Sequence, residues 1–336
     1  MISFKNAYNE LAHPVVLQKL LDAQGIQFNG YGLDVASNQA KSLISKHISI
    51  PVDIHFLIGG TNANKTIINH VLRPYEAVIA TDIGHIQVHE TGAIEANGNK
   101  ILLVSPKDGK LTPVQVQEIV ETHADEHMVI PKMVYISNTT EIGSIYSKSE
   151  LEALYKKTKE LGLWFFIDGA RLGAAIVADP TLSLDIIASL CDVFYIGGTK
   201  NGAMFGEAVV ITNPKIQENF RHSIKRNGGL LAKGFVTGLQ FEALFENDCY
   251  FTCAKNAIES ANYLKQGLHN LHIRFFYESM TNQQFIYLPN ETIDKLAKEY
   301  AFEIWIKGNQ ESVIRLVTSW ATKPEHIDYL LKSLQD

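Results

Sequence analysis

Seven short apolar runs constrain this chain more than any other feature: HFLIG, AVIAT, ILLVS, MVYIS, WFFID, VFYIGG and AVVIT, all between residues 55 and 212. Each is rich in β-branched and aromatic residues, and none alternates cleanly with polar ones. That is the signature of strands covered on both faces. Segments of helical period separate several of them. In SKSELEALYKKTKELG, Ser147 and Glu150 have capping-box spacing, Leu151, Leu154, Tyr155, Thr158 and Leu161 fall along one face, and Gly162 stops the helix. TPVQVQEIVETHA starts in the same way, with Thr112 as N-cap and Pro113 at the first helical position. Strands alternating with helices predict an α/β fold, a mostly parallel sheet with helices on both faces. Ligands of such sheets sit beyond the carboxyl ends of the strands.

After about residue 240 the pattern changes. A helical stretch runs through ENDCYFTCAKNAIESANYLKQGLHNL, followed by the short strands FEIWIKG and SVIRLVTSW and a last helix begun by TKPEHIDYLLKSL. This predicts a large domain over residues 1–240, including the N-terminal segment, and a smaller α+β domain over 241–336. A chain of 336 residues with 46% hydrophobic content has ample core for both.

The formal net charge is −6, and the lysines and arginines are scattered. That distribution lacks the footprint of a nucleic-acid or anionic-membrane binder and favours small-molecule chemistry. MISFKNAYNELAHP has neither a basic nor a continuous apolar leader region, so the expected location is the cytoplasm. Cys191, Cys249 and Cys253 are odd in number and contain no C-x-x-C pair, which argues against a disulfide framework or a structural zinc. No metal is expected.

Three places carry chemistry. In IHFLIGGTNANKTIINHVL a strand breaks at Gly59-Gly60-Thr61 and reopens as a helix, a geometry whose free N–H groups suit an anion. The P-loop pattern G-x-x-x-x-G-K-[ST] fits Gly59 and Lys65-Thr66 but fails at Asn64, where a side chain obstructs the phosphate path. The strand WFFID ends in Asp168, a carboxylate that needs a partner when buried. A structural salt bridge to Arg171 or another basic residue is the plain reading for Asp168 alone. Lys200 follows the strand VFYIGG among glycines, with a further apolar strand directly behind it. It is either a solvated loop lysine or a desolvated amine made nucleophilic by its surroundings. Anion cradle, carboxylate and amine together are what pyridoxal 5′-phosphate needs for its phosphate, its pyridine nitrogen and its aldehyde.

With these residues in place the chain resembles the threonine aldolase/β-eliminating lyase family of fold-type-I pyridoxal-phosphate enzymes, of the low-specificity L-threonine aldolase kind. The resemblance runs from Ala12-His13-Pro14 and Gly30-Tyr31-Gly32-x-Asp34 to Ile314-Arg315-Leu316-Val317-Thr318-Ser319-Trp320. Its most specific pieces are GTNAN at 60–64, Ile-Asp-Gly-Ala-Arg at 167–171 and GGTKNGAMFGEA around the lysine. It implies a fold-type-I transferase-like architecture with a seven-stranded central sheet and a homodimer or homotetramer with sites at the subunit interface. Carried over by motif, Lys200 corresponds to the Schiff-base lysine, Asp168 to the pyridinium partner, and Gly60 with Thr61 to the phosphate cradle. His85 corresponds to the histidine that stacks on the cofactor, with Glu90 and Gly92 following in the pattern. Arg171 and Arg315 correspond to the arginines beside the cofactor and the substrate α-carboxylate. Lys233 or Arg226 corresponds to a basic residue near the partner subunit's phosphate. Thr140 marks a branch without a second active-site histidine.

The implied reaction is retro-aldol cleavage of β-hydroxy-α-amino acids such as L-threonine, allo-threonine or phenylserine to glycine and an aldehyde. β-Elimination, racemisation and transamination with the same cofactor are the alternatives. In one respect the chain departs from the family. The Ser-Asp pair that commonly opens such chains, its serine helping to hold the substrate carboxylate, is replaced here by Lys5, Asn6 and Asn9 in FKNAYNE.

Overall fold

The computed structural model describes residues 1–335. All seven predicted runs are strands of one seven-stranded sheet, ordered 53–57, 207–211, 193–197, 164–168, 130–137, 76–81 and 100–104. The last five are mutually parallel; Glu207–Ile211 alone runs antiparallel to both its neighbours. That single reversal has a positional consequence. The carboxyl ends of the other six strands, and the amino end at Glu207, all reach the same edge of the sheet.

Alternation along the strands sorts side chains to two cores. Phe165, Ile167, Phe194 and Val210 pack on one face, whereas Phe166, Tyr135, Tyr195 and Val209 pack on the other. The two predicted helices form as Pro113–Thr122 and Lys148–Glu160, each opened by a complete capping box. Phe235–Phe245 was not anticipated as a separate helix. It is apolar around its whole circumference, so no amphipathic period marks it, and eight of its residues are buried.

The smaller unit carries a four-stranded antiparallel sheet ordered 303–306, 311–317, 283–289 and 275–277. Two of its strands and the final helix, Pro324–Ser333, match the sequence reading. The strand Gln283–Pro289 does not announce itself because it begins with two glutamines. Both are buried, and their amides donate to the carbonyls of Thr140 and Thr281. The chain's first residues belong to this smaller unit: Ile2–Ser3 pairs in parallel with Tyr300–Ala301, and Phe4 packs among Leu264, Ile286 and Leu316. Among the described residues no helix is long and apolar enough to cross a membrane.

Phe4 is 1% exposed and anchors the N-terminal strand. Its replacement by Ala should cost about 3–5 kcal/mol, the usual range for emptying a buried aromatic site. Denaturant unfolding of the variant beside the parent measures this, and a loss below about 1 kcal/mol would mean that the segment is not anchored there.

Candidate active site

Beyond the shared strand edge lie two adjoining hollows. One, of 310 Å³, is lined by Lys5, Asn6, Tyr8, Arg171, Trp305 and Arg315 among others. The second, of 270 Å³, is lined by Gly59, Gly60, Thr61, Tyr195, Thr199 and Glu207 among others. His85, Lys200 and Tyr8 line both, so Lys200 and His85 stand between them.

The second hollow ends at the start of the helix Gly60–Val71. No side chain caps that helix, so its first N–H groups keep their donating capacity. Gly60 is closely approached: a Cβ there would lie 3.1 Å from the Tyr195 hydroxyl. A twelve-residue helix with an open start can hold a phosphate by its N–H groups and dipole. Asn64, which spoils the P-loop pattern, is turned inward. Its amide donates to Glu90 Oε1 at 2.6 Å and to Asp168 Oδ2 at 3.1 Å.

Asp168 is 3% exposed and lines neither hollow; Tyr195 and Ala170, which donate to it, do. The structural salt bridge to Arg171 is absent from its contacts. Instead Oδ1 accepts from the Tyr195 hydroxyl at 2.5 Å and the Ala170 N–H at 3.0 Å, and Oδ2 from the Tyr135 hydroxyl at 2.6 Å as well as from Asn64. Burial alone would raise its pKa. The neighbouring His85 and the two tyrosine hydrogen bonds outweigh that, so the carboxyl is held below its usual range. Burial and the Asp168 charge push Tyr135 and Tyr195 well above theirs, which keeps both as donors.

The network continues to the cavity wall. Glu90 Oε1 accepts from both Asn64 and His85 Nδ1, the latter at 2.8 Å. A carboxylate at Nδ1 fixes that nitrogen as the N–H and leaves the Nε2 lone pair free. The His85 backbone N–H donates to Glu141, which is also held by Ser137.

Burial, then the Arg171 charge, depress the pKa of Lys200, which makes the neutral amine accessible near neutral pH. Glu207 lies beside it, its carboxylate receiving the Gly198 N–H at 2.9 Å and the Thr199 hydroxyl at 3.0 Å. Burial raises the Glu207 pKa. Lys200 is thus the desolvated amine rather than a loop lysine in water.

The two arginines differ. Arg315 donates to Gln283 at 3.0 Å and pairs with Glu303. The Arg171 side chain has no hydrogen bond or ion pair among the described residues, and its Nε is buried without a partner. Burial and the nearby Arg315 lower its pKa to about 10, so it stays charged. An unpaired guanidinium lining an open cavity is suited to binding a carboxylate. Lys5 and Asn6 reach this wall, whereas Asn9 does not. Lys233 and Arg226 are exposed and line neither hollow of their own chain.

Sequence reasoning therefore located Lys200, Asp168, His85, Gly60, Thr61, Arg171 and Arg315 around one edge. It missed Tyr135, Tyr195 and Glu207. Their signal was a polar group in a buried strand, which points nowhere until strand register is known.

Residues 27–291 match the family model described as Beta-eliminating lyase. The chain is similar to a low specificity L-threonine aldolase from Pseudomonas aeruginosa, 29% identical over 311 residues and covering 91% of this chain and 89% of that one. Among solved structures it is similar to a threonine aldolase from Leishmania major, at TM-score 0.97 and 42% identity over 100% of this chain and 99% of that one. A histidinol-phosphate aminotransferase from Clostridium acetobutylicum shares the fold at TM-score 0.76 and 13% identity, over 100% of this chain and 98% of that one.

Tyr195→Phe removes one charge-assisted donor from Asp168 and should lower stability by about 1.5–3 kcal/mol at neutral pH. A carboxyl held below its unfolded pKa contributes stability above that value and loses it as pH falls through the folded one. The gap between parent and variant should therefore narrow on acidification below the ordinary carboxylate range. Unfolding curves across pH test this, and a pH-independent gap would contradict it.

Proposed function

The chain belongs to the β-eliminating lyase family, and from that premise we propose that it is a threonine aldolase. In this reading it uses pyridoxal 5′-phosphate to cleave β-hydroxy-α-amino acids to glycine and an aldehyde. The observation that carries the reading is the position of Lys200 and His85 on the boundary between a hollow suited to a phosphate and one suited to a carboxylate.

The cofactor, when bound, supplies an aldehyde for an amine to condense with and an aromatic ring that draws electrons from the substrate α-carbon. The chain's own groups supply the rest. The open helix start at Gly60 and Thr61 binds the phosphate oxygens. Lys200 would be the amine that holds the aldehyde, and Glu207 is the neighbouring group able to take a proton from it. Asp168 would supply the negative charge that keeps the ring nitrogen protonated. Because internal donors occupy about all four of its lone-pair sites, one of them must yield for that pairing to form.

Arg171 binds the substrate α-carboxylate through its unpaired guanidinium, and Arg315, held by Glu303 and Gln283, orients the same wall. This turns the Cα–Cβ bond toward His85. His85 accepts the β-hydroxyl proton at Nε2, while Glu90 at Nδ1 steadies the imidazolium that results. Lys5 and Asn6 take the place of the family's usual N-terminal Ser-Asp pair at the carboxylate end of the cavity.

We assign the protein a cytoplasmic homo-oligomer, dimer or tetramer. Lys233, exposed and lining neither hollow of its own chain, then serves the phosphate site of a second copy.

Mixing the purified protein with pyridoxal phosphate should produce a visible absorption band absent from Lys200→Ala. Adding L-threonine or L-phenylserine should perturb the band and release glycine with the aldehyde. Amino-acid-dependent spectral change without glycine would move the reaction to elimination or transamination; no band at all would refute the cofactor. Arg171→Gln should retain the band and lower kcat/KM about 10- to 100-fold, the effect of one charged hydrogen bond.

A further inference from the structure

Behind the Lys200 loop, away from both hollows, three potential ligands converge from distant parts of the chain. Cys249 and Cys253 stand four residues apart at the start of the helix Cys249–Asn270, which puts both thiols on one face. His13 arrives from the N-cap of the helix Pro14–Asp22. The two Sγ atoms are 3.9 Å apart, and Cys249 Sγ lies 3.5 Å from His13 Nδ1. All three ligand atoms fall within 4.8 Å of one another.

These spacings are those of a metal site. Tetrahedral zinc, with bonds of about 2.3 Å to sulfur and about 2.05 Å to nitrogen, separates two sulfurs by roughly 3.8 Å and sulfur from nitrogen by roughly 3.6 Å. His13 Nδ1 carries its lone pair, since the Val15 N–H points at it at 3.3 Å. Cys253 is buried, whereas Cys249 and His13 are half-buried, so the site lies at the edge of the core. The expectation against a zinc site rested on the lack of a C-x-x-C pair. Ligands separated by 236 residues escape any such spacing rule.

We propose that His13, Cys249 and Cys253 form a binding site for Zn²⁺ or a similar thiophilic cation that clamps the loop carrying Lys200. The site touches that loop directly. Gly202 has φ +95°, and a Cβ on it would lie 3.1 Å from Cys253 Sγ and 3.3 Å from His13 Cβ. The Gly202 carbonyl accepts from the His13 N–H at 2.8 Å, and the Asn201 amide donates to the Tyr250 carbonyl at 2.7 Å. An ion there ties together two helix starts and the turn two residues beyond the lysine. The proposal rests on these contacts alone and stands apart from the reaction assigned above.

Untagged, reduced full-length protein loaded with pyridoxal phosphate and stripped with a chelator is titrated with Co²⁺ alone. One equivalent per chain should generate the intense visible d–d bands of tetrahedral, thiolate-bound cobalt, and Zn²⁺ should abolish them. Cys249→Ser and Cys253→Ser should each lose the bands, His13→Gln should bind at least tenfold more weakly, and Cys191→Ser should bind as the parent does. In parallel, Zn²⁺ should slow iodoacetamide alkylation of Cys249. Weak octahedral cobalt bands unchanged by either serine variant, or alkylation indifferent to Zn²⁺, would overturn the proposal. So would a mass lower by two hydrogens after aerobic purification together with no cobalt signal, which would assign the pair to a disulfide.

Discussion

A carboxylate removed from water is costly, and the large sheet is organised around one that is fully hydrogen-bonded. Asp168 draws donors from its two neighbouring strands, the turn that follows its own strand and one helix: Tyr135, Tyr195, the Ala170 N–H and Asn64. An isolated buried charge would neutralise itself by shifting its pKa upward. This one is held the other way, and a chain of contacts through Asn64 and Glu90 carries the constraint to His85. Register in the sheet centre, the inward turn of Asn64 and the tautomer of His85 all follow from satisfying that single group.

The strand reversal at Glu207–Ile211 complements this arrangement. A parallel strand in that place would have put its first residue at the opposite edge. Run backwards, it brings Glu207 opposite Gly197 and Leu57, beside the turn of Lys200 and the helix start at Gly60. An acid, an amine and an open helix terminus thus meet without any long loop to position them. Sites built on strand ends keep their geometry better than sites built on mobile connections.

How much of this was legible in the sequence follows from what each signal depends on. The seven strands were readable because burial on both faces leaves continuous apolar runs, and the Asp168 and Lys200 positions because a lone charge after such a run needs explaining. Tyr135 and Tyr195 sit inside the same runs as ordinary aromatic core, and only register shows that both hydroxyls meet one carboxylate. Gln283 and Gln284 concealed a central strand because side-chain amides, not apolar surface, make their burial tolerable. Arg171 and Arg315 looked alike in sequence. What separates them is a pair of neighbours, Glu303 and Gln283, that one possesses and the other lacks.

The pairing of the first strand with Tyr300–Ala301 bears on the cavity. Ile2 and Ser3 are stitched to Tyr300 and Ala301, and the residues that follow, Lys5, Asn6 and Tyr8, form a wall of the cavity together with Trp305 and Arg315. The opposite wall, with Lys200, Arg171 and His85, is fixed to the large sheet. The two walls of the cavity therefore have separate anchors: whatever holds the N-terminal strand to Tyr300 and Ala301 also holds Lys5, Asn6 and Tyr8 across from Lys200.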